Sequence, residues 1–471
     1  MIAGLVTTLL VCLALFGISL HRPQWGVIAI AGLVPFNGLL LISPLSMSYW
    51  KEAAVLAVLC ATPFARRTPP GLTVVAPWLL PLGVLVPFGV ISALVMQGTQ
   101  MFFPLKIAFF YILLAVIAVL FPFNRQDKDT LISVLFGAAV LSAFYGIWQQ
   151  FIGPQALADM GYEWNEQIRS AGPLLRSFGT FNQPFPFGLF LMLVIILVTA
   201  ASLAEPYRLR SRLFLLAFPV LGAAMLLSVV RASYVGVAVG LVVIGIVLYR
   251  RFLAWMVFGS VLTGLVVAAA SMVFGNTVLS TLTSSSSLEE RGDHWSVNIP
   301  LILTRPLGQG LGTTGSSAAK VAEGYNPAAP LYQPDSYYIK ILLELGPIGL
   351  ACYAAVVILM VVPLLRMIPL TGDPLERALL GGAVAATSAA CVAALFSTYL
   401  EIFPLDVFFW LIPAVAGSTS MTIREQLTGR ARGARPLNRR THTTRSTTAA
   451  ILDRNDSSEK SAANRASADA G

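Results

Sequence analysis

Three arginines and one aspartate are the residues whose types suit chemistry on a phosphorylated substrate: Arg176, Arg231, Arg291 and Asp335. A guanidinium is planar, stays charged at any physiological pH and can grip two phosphate oxygens at once. Several of them together would stabilise a departing diphosphate without help from a metal. A carboxylate beside them would take the proton of an attacking hydroxyl. His294 is a second candidate for that base. Asn182, Trp295, Gly310, Ser336 and Tyr338 flank these charges in the chain and are the candidates for substrate contact.

Whether such residues meet depends on the elements that carry them. The chain is 56% hydrophobic and 11% charged, where a soluble domain is about 25% charged. Runs near 20 apolar residues recur, the length that crosses a hydrocarbon core of about 30 Å at 1.5 Å per residue. The ~10-residue alternating segments of a membrane β-barrel do not occur. The expected fold is therefore all-α, a polytopic transmembrane bundle of about 12 helices. Candidate spans are Ala3–Leu20, Trp25–Ile42, a short one near Ala53–Phe64, Leu72–Met96, Phe102–Phe121, Thr130–Phe151 and Pro184–Leu203. They continue with Leu213–Val230, Ala232–Leu248, Phe252–Phe274, Tyr338–Val362, Ala378–Leu400 and Phe403–Ile423. This divides the chain into a transmembrane domain over 1–423 and a tail over 424–471. The tail, rich in Arg, Ser, Thr and Ala, is expected to be disordered, basic and cytoplasmic, touching anionic lipid at most.

Orientation follows from the basic residues. Arg66-Arg67, Arg125 with Lys128, Arg208-Arg210-Arg212, Arg250-Arg251 and Arg366 with Arg377 fall in alternate connections. The positive-inside rule makes that side cytoplasmic. Two long polar segments, 152–183 and 275–337, then face outward, the second standing before the last three helices. Function concentrates in such segments, because water, charge and irregular backbone coexist there.

Each candidate also has a plainer reading. Ser287-Leu288-Glu289-Glu290 has the capping-box pattern, so a helix starts there, with Arg291 and Trp295 four apart on one face until Pro306 stops it. That helix could equally be an interfacial anchor with a snorkelling arginine. Arg231 interrupts an apolar stretch too long for one span, so the chain turns there, at the outer membrane boundary. It needs an anionic partner or water, or it snorkels. Ala232, Gly236 and Gly240 would let the following helix pack closely on a neighbour. Asn182 and Pro184 suit a helix start; Asp335 with Ser336 suits a cap, Lys340 and Glu344 an intrahelical pair, and Lys106 a snorkelling cation. Gly308, Gly310 and Gly312 follow no strand, so a nucleotide fingerprint is rejected; what stays open is permissive backbone near a substrate or a flexible turn. Taken together, three arginines and an acid gather on one membrane face, a pattern suited to a lipid-linked diphosphate.

At these residues the chain resembles the O-antigen ligase and polymerase family of bacterial envelope proteins. The pieces are Arg176…Gly179-Thr180-Phe181-Asn182…Pro184, Ser228-Val229-Val230-Arg231-Ala232-Ser233 and Arg291…Trp295 with Pro306-Leu307-Gly308-Gln309-Gly310. The last is Asp335-Ser336-Tyr337-Tyr338 with Glu344-Leu345-Gly346-Pro347-Ile348-Gly349. They stand in family order across 176–349. The resemblance implies a metal-independent glycosyltransferase of the bacterial cytoplasmic membrane, without cofactors. It would act at the outer face on undecaprenyl-diphosphate-linked glycan, beside membrane lipids and polysaccharide-assembly proteins. It also implies that Arg176, Arg231 and Arg291 bind the diphosphate. Lipopolysaccharide ligases have a His-Asn pair where this chain has Asp335-Ser336, and an outer-face aspartate resembles peptidoglycan polymerases of related architecture. A polysaccharide polymerase, or a ligase to another acceptor, is therefore favoured.

Other classes fit less well. The net charge of +9 sits largely in the tail and beside spans, so nucleic acid is not the expected partner. The three histidines have no metal-ligand spacing, and Cys12, Cys60, Cys352 and Cys391 lie in apolar runs as small hydrophobes. A flippase for lipid-linked sugars would also need arginines, but deep in spans and with inverted repeats. A noncatalytic envelope scaffold is the third class.

Overall fold

The computed structural model describes residues 2–43, 48–65, 71–171, 174–254, 300, 302, 304–322 and 334–431. Most of the expected span Phe252–Phe274 and most of the outer loop 275–337 lie outside these. Residues 1–424 form one compact unit and 425–471 another.

Among the described residues eight helices are long and apolar enough to cross a membrane. Two shorter apolar helices, Arg231–Val247 and Leu405–Ala416, join them. In chain order the helices are α1 (Ile2–His21), α2 (Pro23–Leu33), α3 (Asn37–Ile42), α4 (Trp50–Ala61), α5 (Leu79–Gln97), α6 (Phe102–Phe109), α7 (Ile112–Leu120) and α8 (Arg125–Asp159). Then come α9 (Pro184–Ala204), α10 (Leu209–Leu227), α11 (Arg231–Val247), α12 (Gly315–Ala322), α13 (Tyr337–Met367), α14 (Pro374–Ala393), α15 (Leu405–Ala416) and α16 (Met421–Ala431).

Helix α9 is the axis. It is apolar on every side, which requires neighbours on every side, and it is buried from Pro184 to Ala201 almost without interruption. The small-residue spacing on α11 does seat it on α9: Gly236 lies against Met192, and Gly240 against Ile196. At the start of α9, Gly188 meets Ser228 and Val230, so α9 and α11 run parallel. Helix α14 runs the other way, with Gly382 beside Leu197 and Ala200 and Ala389 beside Gly236. One end of the bundle thus collects the starts of α9 and α11 and the finish of α14.

The opposite end is tied by a belt of ion pairs. Arg125 donates to Asp373 and Glu205, both at 2.7 Å. Asp129 accepts from Arg208 at 2.6 Å and also from Arg210. Arg22 grips both oxygens of Asp127 at 2.9 and 3.1 Å, while Asp127 and Asn124 close a capping box that starts α8. Buried Lys128 donates to Ser418 O at 2.7 Å.

Several expected spans are divided. Phe102–Phe121 splits into α6 and α7. Trp25–Ile42 breaks at a 3-10 turn holding Pro35, which cannot donate to a helix ladder. Leu72–Met96 begins as a short strand, Leu72–Val74, paired with Ser418–Ser420. That pairing leaves the last expected span, Phe403–Ile423, as the 12 residues of α15. The turn expected at Arg231 is present: α10 ends at Leu227 and α11 begins at Arg231. Lys106 does not snorkel free; its Nζ pairs with Glu52 at 3.1 Å, because Glu52 lies buried on α4 and needs a countercharge.

Helix α13 breaks at Gly346, at φ 65°, and Gly308 sits in the same left-handed region at φ 77°. The two interlock, since a Cβ on Gly346 would strike Pro306 O and one on Gly308 would strike Glu344 O. Neither neighbour is a flexible side-chain end. Gly308→Val should therefore destabilise the protein by about 3 kcal/mol or more, strain and clash combined. Thermal unfolding of the purified variant would measure it; an unchanged midpoint would refute the interlock.

Candidate functional site

The segment 176–183 crosses the site end between α8 and α9, and two glutamines hold it there. Gln149 accepts from the backbone N–H groups of Phe178 and Gly179 at 3.1 and 3.0 Å, and donates to Gly179 O at 3.0 Å. Gln150 donates to Leu175 O at 2.6 Å and to Ser177 Oγ at 2.7 Å. Thr180 donates to Pro35 O at 2.7 Å. An apolar helix entrance of this kind has no backbone partners of its own, so α8 supplies them.

Arg176 leads this segment directly onto the α10–α11 turn. Ser177 N donates to Leu227 O at 2.9 Å. The Arg176 guanidinium reaches Ser228 O and Val229 O at 3.4 and 3.5 Å, long contacts that leave much of its donor capacity unused. Its face covers Phe185 at 5.6 Å from the ring centre. Burial pushes the guanidinium below its ordinary range, and the like charges of Arg169 and Arg231 push the same way. Tyr234, whose OH donates to Leu226 O at 2.8 Å, lies near both Arg176 and Arg231. Two guanidiniums this close, each half-buried, present their positive charge at one place. The turn itself is strained: Val229 has φ 53°, an outlying conformation for a β-branched residue.

Asn182 is half-buried ahead of α9 but does not cap it. The N-cap is Gln183, with Pro184 in the first helical position as expected.

Asp335 reaches the same end by another route. It precedes α13, whose first backbone N–H, Tyr337, donates to Ala394 O at 2.9 Å and Ser397 O at 3.2 Å. Tyr338 donates to Cys391 O at 2.8 Å. These bonds pin the start of α13 to the finish of α14. The capping expected of Asp335 and Ser336 is absent: Ser336 is the N-cap and makes no side-chain cap bond. Its hydroxyl donates instead to Ala394 O at 3.4 Å, leaving the half-buried Asp335 carboxylate outside the capping role. Arg176, Arg231, Asn182, Asp335, Ser336 and Tyr338 are thus gathered at one end of the bundle. Arg291, His294 and Trp295 lie outside the described residues.

Gly310 takes a packing position. Its N–H donates to Glu344 O at 2.9 Å, and Met96 fills the space a Cβ would need. Gln309 N donates to Leu343 O at 2.7 Å. The glycine run is neither a flexible turn nor open backbone. It closes over the break at Gly346.

Beneath the start of α13 lies a buried charged cluster that spacing alone revealed only in part. Lys340 pairs with Glu344 at 2.7 Å, as the four-residue spacing predicts, and also with Glu401 at 2.8 Å. Thr314 N and Oγ1 donate to Glu344 at 3.1 and 3.0 Å, and Lys340 donates to Thr314 O at 3.0 Å. A cavity of about 30 Å³ adjoins it, edged by Tyr337, Tyr353 and Glu401. One ammonium holding two buried carboxylates ties Thr314 of the outer loop and Glu401, ahead of α15, to α13. Lys340→Met should cost about 3–5 kcal/mol by leaving those carboxylates unpaired. Adding Glu344→Gln and Glu401→Gln should restore part of the unfolding midpoint, whereas no rescue would mean the loss came from packing. A lysine and a glutamate inside an apolar helix were the available signal; nothing in the sequence ties Glu401 to them.

The fold and this end define a class: a multi-pass α-helical membrane protein with arginines and a carboxylate gathered at one end of the bundle. Residues 213–354 match the O-Antigen ligase family. That match supports the resemblance to the O-antigen ligase and polymerase family and, in general, an activity of the membrane glycosyltransferase type. The matched region carries Arg231, Arg291 and Asp335, while Arg176 stands ahead of it. No curated protein matches the chain.

Proposed function

We propose that this protein polymerises glycan carried on a polyprenyl diphosphate, of the undecaprenyl type, at the extracytoplasmic face of the membrane, in cell-surface polysaccharide synthesis. The single observation behind this reading is the meeting of Arg176 and Arg231 at the α10–α11 turn, at the end of the bundle where Asp335 precedes α13. The ion-paired belt, rich in Arg and Lys, supports placing the other end in the cytoplasm.

In this reading an acceptor sugar hydroxyl attacks the anomeric carbon of the lipid-linked glycan. The new glycosidic C–O bond forms as the bond from that carbon to the diphosphate oxygen breaks. Polyprenyl diphosphate leaves with the bonding electron pair, held by Arg176, Arg231 and Arg291. Asp335 takes the hydroxyl proton, and Asn182, Trp295, Ser336 and Tyr338 line the sugar path. A polymerase is preferred to a ligase because Asp335, two residues before α13, stands where lipopolysaccharide ligases have a histidine.

The test is the glycan profile of a deletion strain carrying wild type, Arg231→Ala or Asp335→Asn. Single lipid-linked repeats accumulating outside in the variants would support a polymerase. Long polymer stranded on polyprenyl diphosphate would indicate a ligase instead, and repeats trapped inside would overturn both in favour of a flippase.

A further inference from the structure

A groove of about 680 Å³ runs between α8 and α10, far from the site end. Its walls repeat at helical spacing: Phe136, Val140 and Phe144 on α8, and Leu213, Ala217 and Val220 on α10. The floor is open because Gly137 has no neighbour within 4 Å of a Cβ position. Leu141, Phe144 and Leu216 along its rim are 61%, 57% and 76% exposed, so it faces whatever surrounds the bundle.

The groove is apolar except at its belt end, where Arg210 enters the wall. The Arg210 side chain is only 8% exposed. Its Nη1 pairs with Asp129 and its Nη2 forms a long ion pair with Glu205 at 3.6 Å, while Nε and Nη2 make no hydrogen bond. Buried guanidinium donors without acceptors are costly, and a further anion would satisfy them. Arg210 lies in the first turn of α10, whose N-cap Arg208 makes no side-chain cap bond, so the helix dipole favours an anion at the same place. Arg212 is exposed one residue beyond Ser211.

Length identifies the occupant. From Ser133 to Phe144 the α8 wall rises roughly 16 Å at 1.5 Å per residue, about half of a ~30 Å hydrocarbon core. That is the depth of one leaflet. A chain anchored at the opposite end of the bundle would have to cross the other leaflet before entering.

We propose that this groove binds an anionic phospholipid of the leaflet at the belt end. Its phosphate lies on Arg210 and the α10 N-terminus, and one acyl chain lies between α8 and α10. The inference does not depend on the proposed catalytic reaction.

The test uses the full chain in detergent, mixed with equal dioleoyl phosphatidylglycerol and dioleoyl phosphatidylcholine, with retained lipid counted by native mass spectrometry. Wild type should retain phosphatidylglycerol in roughly tenfold preference, because both lipids bring a phosphate but only phosphatidylcholine brings a choline cation toward Arg208, Arg210 and Arg212. Arg210→Gln should abolish the preference. Ala217→Trp, which fills the groove while keeping the charge network, should lower retention of the lipid itself. Equal retention of the two lipids by wild type, or undiminished phosphatidylglycerol on Ala217→Trp, overturns the proposal. So does displacement of the bound lipid by stoichiometric polyprenyl phosphate, which would make the groove a substrate-tail path.

Discussion

Arg231→Ala is expected to lower glycan transfer by about 10²–10³-fold, the usual loss when one preorganised donor to a developing negative charge is removed. Arg176→Ala should fall in the same range. The pair should be less than additive, because the two guanidiniums would serve one leaving group. The half-buried setting explains the size: a phosphate oxygen there meets donors that water competes for poorly. Arg231→Lys should recover only part of the rate, since an ammonium cannot grip two oxygens in a plane. Because Arg176 also touches the carbonyls of the α10–α11 turn, the assay needs a folding control. Transfer by purified protein should fall while the thermal unfolding midpoint shifts by only a few degrees. Transfer within twofold of wild type in both alanine variants would remove these arginines from the reaction.

Asp335→Asn is expected to cost about 10²–10⁴-fold, the contribution of a positioned general base. The substitution is close to isosteric, and Asp335 carries no capping duty on α13, so stability should change little. Asp335→Glu should keep a measurable fraction of the rate, with its carboxylate displaced by one methylene. An acceptor with a more acidic hydroxyl should narrow the gap between Asn and wild type, because the base then has less to do. A gap that stays constant across acceptors would point to binding rather than proton transfer.

How legible these features were depended on the range of the interaction behind each. Gross architecture follows from composition and run length, because a membrane span must satisfy its backbone within one segment. The turn at Arg231 and the close packing of Gly236 and Gly240 on a neighbouring helix follow from local spacing; that the neighbour is a parallel α9 does not. The strand at Leu72–Val74 and the short α15 do not, since strand pairing joins residues more than 300 apart in the chain.

The same division holds at the candidate site. By itself the sequence determined which residues could bear charge and which spans would carry them, since residue type and apolar length are local properties. Only the tertiary structure decided that Arg176 lies on the carbonyls of the α10–α11 turn. It alone decided that Lys340 serves Glu401 as well as Glu344, that Gly308 interlocks with the break in α13, and that Arg210 ends an apolar groove. Each of these depends on helices distant in sequence meeting at a particular height and rotation. Close packing sets both, through contacts that no single segment contains.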